Sequence, residues 1–178
     1  MSSRSLHVPL LVLGCCLALT GCAAKGPEMK TVDYVDLERF MGDWYVIANI
    51  PTFLEKGAHN AVETYELNED GTIATRFTFR ADSFDGKSKE YNPKGFVLDT
   101  DTNARWGMRF VWPVKADYRI AWLDDDYSMT VIARQDRDFV WIMARTPTIS
   151  NDDYDRLIRF VDSIGYDVSK IERVPQQW

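Results

Sequence analysis

From residue 44 to residue 145, apolar and polar positions alternate in short runs, and the runs are separated by clusters of Asn, Asp, Gly and Pro. Side chains on a strand point to opposite faces in turn, so a period of two predicts half-buried β-strands. Asn68-Glu69-Asp70-Gly71 reads as a hairpin turn between strands over 61–67 and 72–80. Asp85-Gly86, Asn92-Pro93 and the stretch 99–103 mark further loops. Asp124-Asp125-Asp126 joins 118–123 to 128–134, and Asp136-Arg137-Asp138 joins that strand to 139–145. Turns at this spacing predict an all-β fold, an antiparallel meander of about eight strands, the arrangement that an up-and-down β-barrel closes on itself.

The pattern is sharpest over 105–112. Arg105, Gly107, Arg109 and Val111 share one face, and Trp106, Met108, Phe110 and Trp112 share the other. Three aromatics and a methionine exceed what a small barrel needs for filling, and barrels of about eight strands also hold single small ligands. A plain packed core strand fits the same pattern, and the strand by itself leaves both readings open.

The period changes to 3.6 near the C-terminus. Ser150 is a suitable N-cap, with Asp152 and Asp153 in the first turn. Tyr154, Leu157, Ile158, Val161 and Ile164 form one apolar stripe, and Gly165 stands where a C-terminal cap belongs. Asp155 and Asp162 lie beside Arg156 and Arg159 on the polar face, which lacks the basic character of a membrane-surface helix. The helix is therefore expected to pack outside the barrel. A shorter helical turn is expected over 35–40, leading into Gly42.

The first 21 residues read as a cleaved signal peptide, with Arg4 as the basic end and an apolar stretch over 8–19 that is too short to span a bilayer. Leu19-Thr20-Gly21-Cys22 resembles the bacterial lipoprotein box. That resemblance implies acylation of Cys22 and, with Ala23 and not Asp following it, sorting to the outer membrane. Two or three acyl chains hold a protein where one anchors it only weakly. Residues 22–30 then form a lipidated tether and 31–178 a single domain, with no second linker. Cys15 and Cys16 leave with the leader, so the mature chain has no disulfide. The formal charge of −6 excludes nucleic acid as a partner, because phosphates need a basic face. No metal, nucleotide or redox cofactor motif is present, and none is expected. His59 is the one histidine left after cleavage and sits in a loop, so neither a thiol nucleophile nor a histidine-rich metal site is available. The acidic run 124–126 reads as a solvated turn. The chain is not expected to be an enzyme.

A signal peptide, Gly42-Asp43-Trp44-Tyr45 before the first strand, about eight strands and then a helix together resemble the lipocalin family. The run from Asp136 through Arg145-Thr146-Pro147-Thr148-Ile149-Ser150, and Asp167-Val168-Ser169-Lys170 after it, are similar to the bacterial outer-membrane lipoprotein lipocalins. The resemblance implies that Trp44 closes the barrel floor, that Arg145 stacks across it and caps backbone carbonyls, and that Gly42 permits the tight turn below. Of the family's middle motif, only Asp124 in Leu123-Asp124-Asp125 matches.

With Arg145 inward at the floor, strand parity turns Met143 and Trp141 inward as well. On the preceding strand Met129 and Val131 are the apolar set, opposed by Ser128 and Thr130. Tyr118 and Ile120 are chosen over Arg119. Together with Trp106, Met108, Phe110 and Trp112 they make the expected ligand wall, with Val46, Ala48 and Phe77 added from two further strands. Methionine suits such a wall because its thioether adapts to varied shapes. A buried methylene is worth about 0.8 kcal/mol, so an acyl tail can bind with no special polar contact. The resemblance implies binding of lysophospholipids or fatty acids in the barrel, for lipid storage or transport in maintaining the outer membrane under envelope stress. It also implies a homodimer and a periplasm-facing, lipid-anchored position. The alternative is a structural or assembly lipoprotein whose barrel is filled by its own side chains.

Overall fold

The computed structural model describes residues 26–178. The leader, Cys22 and the start of the tether lie outside the described residues. Nine strands make the wall: β1 Gly42–Ile50, β2 Ala58–Leu67, β3 Thr72–Ala81, β4 Ser88–Tyr91, β5 Lys94–Val97, β6 Arg105–Val111, β7 Val114–Leu123, β8 Met129–Ala133 and β9 Val140–Ala144. All neighbouring strands run antiparallel, and β1 pairs with β9 from Tyr45↔Ala144 to Ile50↔Val140, which closes the barrel. β4 and β5 act as one wall strand that pairs with the two halves of β3. Asn92 and Pro93 break it, because proline has no N–H to give the ladder. The barrel is therefore eight-stranded, as the turn spacing predicts.

The lower end is sealed from the sequence just ahead of β1. Asp36 caps helix α1 (Leu37–Phe40) by accepting from Arg39 N at 3.2 Å. Gly42 follows at φ +92°, a left-handed backbone that glycine adopts without strain. Trp44 Nε1 donates to Phe40 O at 2.8 Å, and the Arg145 guanidinium lies 3.8 Å from the Trp44 ring. Arg145 donates to the carbonyls of Asp43 (2.8 Å), Arg39 (2.9 Å), Phe40 (3.0 Å) and Tyr127 (3.3 Å). Asp124 closes the turn after β7 by accepting from Ser128 N at 2.8 Å and Met129 N at 2.9 Å.

Among the described residues there are two apolar cores. One fills the barrel interior. The other lies between the outer wall and helix α2 (Asn151–Ser163), where fully buried Leu157 and Val161 meet Val131, Ile142 and Ala144. Ser150 caps α2 by accepting from Asp153 N at 3.0 Å, and Gly165 ends it at φ +93°.

The second core corrects one expectation. Met129 and Val131 face α2 and not the interior, because Val131 pairs with outward-facing Ile142 and Met129 with Ala144. Thr130 and Ile132 point inward instead, opposite Met143 and Trp141. Thr130 tolerates full burial because its hydroxyl donates to Trp122 O at 2.8 Å. Ala48 is turned outward too, since a bulge between Val46 and Ala48 reverses the parity of β1.

Both ends of the described chain lie on the wall. β1 and β2 pair only over Gly42–Tyr45, and above that point the short strand β10 (Glu172–Arg173) pairs with Ala48 and Asn49. Gln176 Nε2 then bridges Val46 O (2.8 Å) and Ala61 O (3.2 Å), so the C-terminal segment closes the seam. The segment 26–30, the last part of the expected tether, is docked on the wall. Met29 is buried, its N–H donates to Gln135 Oε1 at 2.9 Å, and its carbonyl accepts from Arg119 at 3.1 Å. Arg119 faces outward as expected, yet it is buried beneath this segment.

Candidate functional site

The lower half of the barrel is filled. Trp106 is fully buried, stacks on Tyr118 at 5.0 Å and 8°, and meets Phe40 and Tyr65 edge-on. Its Nε1 donates to Asn103 O at 2.7 Å, so the indole has no polar need that a ligand could meet. Ile120 is buried in the same cluster. Both residues point inward as expected, but they form the packed base and are not part of the open space.

Above them is a cavity of about 340 Å³. Phe77, Met108, Phe110, Tyr118, Ile132, Trp141 and Met143 line it, together with Thr52 to Glu55 from the loop between β1 and β2. Five of the ten residues nominated for the ligand wall therefore border the cavity: Met108, Phe110, Tyr118, Trp141 and Met143. Trp112 does not. A register shift between Met108 and Val111 ends the simple alternation of β6, so Val111 reaches the lining while Trp112 stands at the rim, 78% exposed.

The cavity is not purely greasy. Glu63, on β2, lines it and accepts from the Tyr65 hydroxyl, which lies 2.8 Å from the Tyr118 hydroxyl. Burial, and then the nearby Glu55, push the Glu63 carboxyl up to about 8. Burial also raises Glu55, against the hydrogen bonds it accepts from Asn49 Nδ2 (3.1 Å), Thr52 N (3.2 Å) and Trp141 Nε1 (3.1 Å). The Tyr118 hydroxyl is raised by burial and by Glu63. Neither glutamate is among the residues expected at the site. The legible signal for Glu63 is parity, since Ala61, Glu63 and Tyr65 share one face of β2. For Glu55 no periodic signal exists, because it comes from a loop.

The mouth carries exposed apolar groups on two loops: Phe53 at 88%, and Phe110, Val111, Trp112 and Val114 on the β6–β7 tip. The described chain begins at this same end. Gly26 lies against Arg137 in the β8–β9 turn, and Pro27 O accepts from Arg137 Nη2 at 2.9 Å. From there the segment descends the wall, with Val32 N donating to Ile120 O and Val35 N to Thr102 O. Among the described residues, no group of three metal-ligating side chains comes together.

A closed eight-stranded barrel with a capped floor, an outer helix and an apolar cavity open at one end defines a small-hydrophobe-binding architecture. The chain belongs to the lipocalin-like family, whose domain model matches residues 35–176. It is 31% identical over 161 residues to temperature-induced lipocalin-1 of Arabidopsis thaliana, covering 84% of this chain and 83% of the relative. It is 29% identical over 170 residues to outer membrane lipoprotein Blc of Escherichia coli (strain K12), covering 89% and 90%. Among solved structures, insecticyanin from the tobacco hornworm Manduca sexta superposes with a TM-score of 0.65 at 16% identity, over 83% of this chain and 84% of that one. That likeness concerns the fold.

Proposed function

We propose that this protein is a lipid-anchored carrier that takes a lysophospholipid or fatty acid from the membrane into the upper barrel, without chemistry, for storage or transport at the outer membrane. The observation that carries the reading is the apolar cavity of about 340 Å³, open at a mouth rimmed by exposed aromatic residues. Its volume is in the lower part of the range for small-molecule sites. At about 30 Å³ per water-sized group it encloses roughly eleven such groups. A sixteen-carbon chain is then partly enclosed, and its remainder passes between Phe53 and Phe110. The filled lower half meets the alternative of a side-chain-filled barrel halfway, but the upper half does not follow it.

The anchor belongs to the same proposal. Three residues lie between Cys22 and Gly26, so the four chain steps reach at most about 14 Å. Gly26 sits at the mouth end, so acyl chains on Cys22 would hold the mouth against the bilayer, with Phe53 and Trp112 at its surface. The resemblance to a named outer membrane lipoprotein supports that compartment. A homodimer stays part of the proposal only through family resemblance.

The test is tryptophan fluorescence on the mature chain carrying Cys22→Ser, stripped of lipid and titrated with lysophospholipid and palmitate. Saturable change at micromolar ligand is expected, because Trp141 lines the cavity. Phe110→Asp should weaken binding at least tenfold with the thermal midpoint unchanged, since Phe110 is half exposed and carries little of the core. A flat signal for both ligands would sink the carrier reading. A second expectation concerns uptake from vesicles. Trp112→Ser should slow transfer from bilayers several-fold while leaving affinity for dissolved ligand intact; equal loss of both would place Trp112 in the binding site and not at a membrane contact.

A further inference from the structure

Of the three carboxyl groups that line the cavity, Glu55 and Glu63 have no cationic partner among the described residues, and Asp117 is paired with Arg119. Glu55 comes from the loop over the mouth and Glu63 from β2 near the base. The other charged or titratable groups in the lining are Asp117 and Tyr118 on β7, Tyr91 on β4 and Arg134 after β8. Arg134 is turned to Asp138 at 3.4 Å, and Asp117 holds Arg119 at 3.0 Å, so no arginine serves the glutamates. Glu55 Oε2 is occupied by three donors. Glu63 Oε2 takes the Tyr65 hydroxyl. A charge buried in apolar surroundings is ordinarily paired or else neutralised.

We propose that the base of the cavity is an amine site: a single-chain primary ammonium amphiphile enters amine first, its NH3⁺ held by Glu63 with the Tyr118 hydroxyl beside it. The inference rests on the carrier reading above. The tail runs up past Phe77 and Met108 and leaves at the rim. An ammonium has three donors, which matches a carboxylate and an adjacent phenol. A phosphate would find no cation at the base, so the amine is that of a simple chain and not of a phospholipid headgroup. A chain carboxylate that entered first would meet Glu63 at the base, so a fatty acid enters tail first and leaves its carboxylate at the mouth.

The sign of the pH effect follows. Glu63 must ionise to hold an ammonium, and burial keeps it mostly protonated below about pH 8. A primary amine keeps its own charge to about pH 10. Amine affinity should therefore rise with pH through this window and level off above it.

The experiment is calorimetric titration of the mature chain carrying Cys22→Ser with dodecylamine, dodecanol and dodecanoate at pH 6, 7 and 8, and of Glu63→Gln in the same background. At pH 8 dodecylamine should bind at least tenfold more tightly than dodecanol, with dodecanoate weakest. Its affinity should climb about fiftyfold from pH 6 to pH 8, the growth in ionised Glu63 set by a carboxyl at about 8. Glu63→Gln should abolish both the amine preference over dodecanol and the climb. An unchanged amine-to-alcohol ratio in the variant, or dodecanoate equal to the amine at pH 8, would overturn the amine site and leave the carrier reading standing. No binding of any of the three, dodecanol included, would overturn the carrier reading and the amine site with it. The pH climb of the unsubstituted chain tests the site independently of how well the variant folds.

Discussion

Between pH 5 and pH 8 the protein is expected to lose on the order of 3 kcal/mol of folding stability, most of it through Glu63. The carboxyl sits at about 8 in the folded chain, against an ordinary value of 4.5. Between those two values the folded state holds a proton that the unfolded state has released. Stability then falls as pH rises, by up to about 1.4 kcal/mol per unit, and flattens once the folded carboxyl also ionises. This is the reverse of the usual carboxylate, whose lowered value makes stability rise with pH. Glu55, raised by burial, adds to the same slope. The aspartates held low by hydrogen bonds, Asp70, Asp99, Asp126, Asp153 and Asp167, are already ionised in both states at pH 5 and contribute nothing to it. Urea denaturation at unit pH steps measures the slope directly. Glu63→Gln should remove most of it and raise stability at pH 8, because an unpaired charge then no longer needs burying. An identical slope in the variant would assign the effect to other groups.

The second large effect is at the floor. Arg145→Ala should cost about 3 kcal/mol, which for a domain of this size lowers the thermal midpoint by about 6–12 °C. One guanidinium ties together carbonyls from α1, from the start of β1 and from the turn before β8, while its face covers the Trp44 ring. Without it the carbonyls lose a charged donor, and α1 loses its link to the end of β9. Arg145→Lys should recover less than half the loss, since an ammonium is a point donor and cannot span four acceptors or stack flat on an indole. Ligand affinity of the folded fraction should be unchanged, because the packed layer of Trp106, Phe40 and Tyr65 separates Arg145 from the cavity. A stability loss well under 1 kcal/mol would show that the floor is held by apolar packing alone.

These two residues differ in how visible they are in the sequence. Arg145 stands in a run that resembles the lipocalin family, and that resemblance implies its place across Trp44; the pairing of β1 with β9 brings the two segments together. Glu63 looks like one more polar residue in an alternating strand. Its importance depends on which face of β2 turns inward, and on Glu55 reaching the same space from a loop. Alternation has the same limit on β8. It correctly separates Met129 and Val131 from Thr130, but it cannot tell an apolar face that meets the barrel interior from one that meets helix α2. Trp112 and Ala48 illustrate a further limit, since one bulged residue reverses every side chain beyond it.

The sequence by itself determined the strand count, the turns and the helix with its Ser150 and Gly165 ends. Those features follow from local periodicity, from residues with special backbone needs, and from short polar caps; the sealed floor was legible only through the family resemblance. Only the tertiary structure decided that the interior is packed below and open above, that the exposed aromatics and the start of the described chain share the mouth end, and that two glutamates face one apolar space. The physical reason is that a cavity is the difference between the space a barrel encloses and the side chains sent into it. Both depend on register, bulges and loop placement, which are set by contacts between segments far apart in the chain.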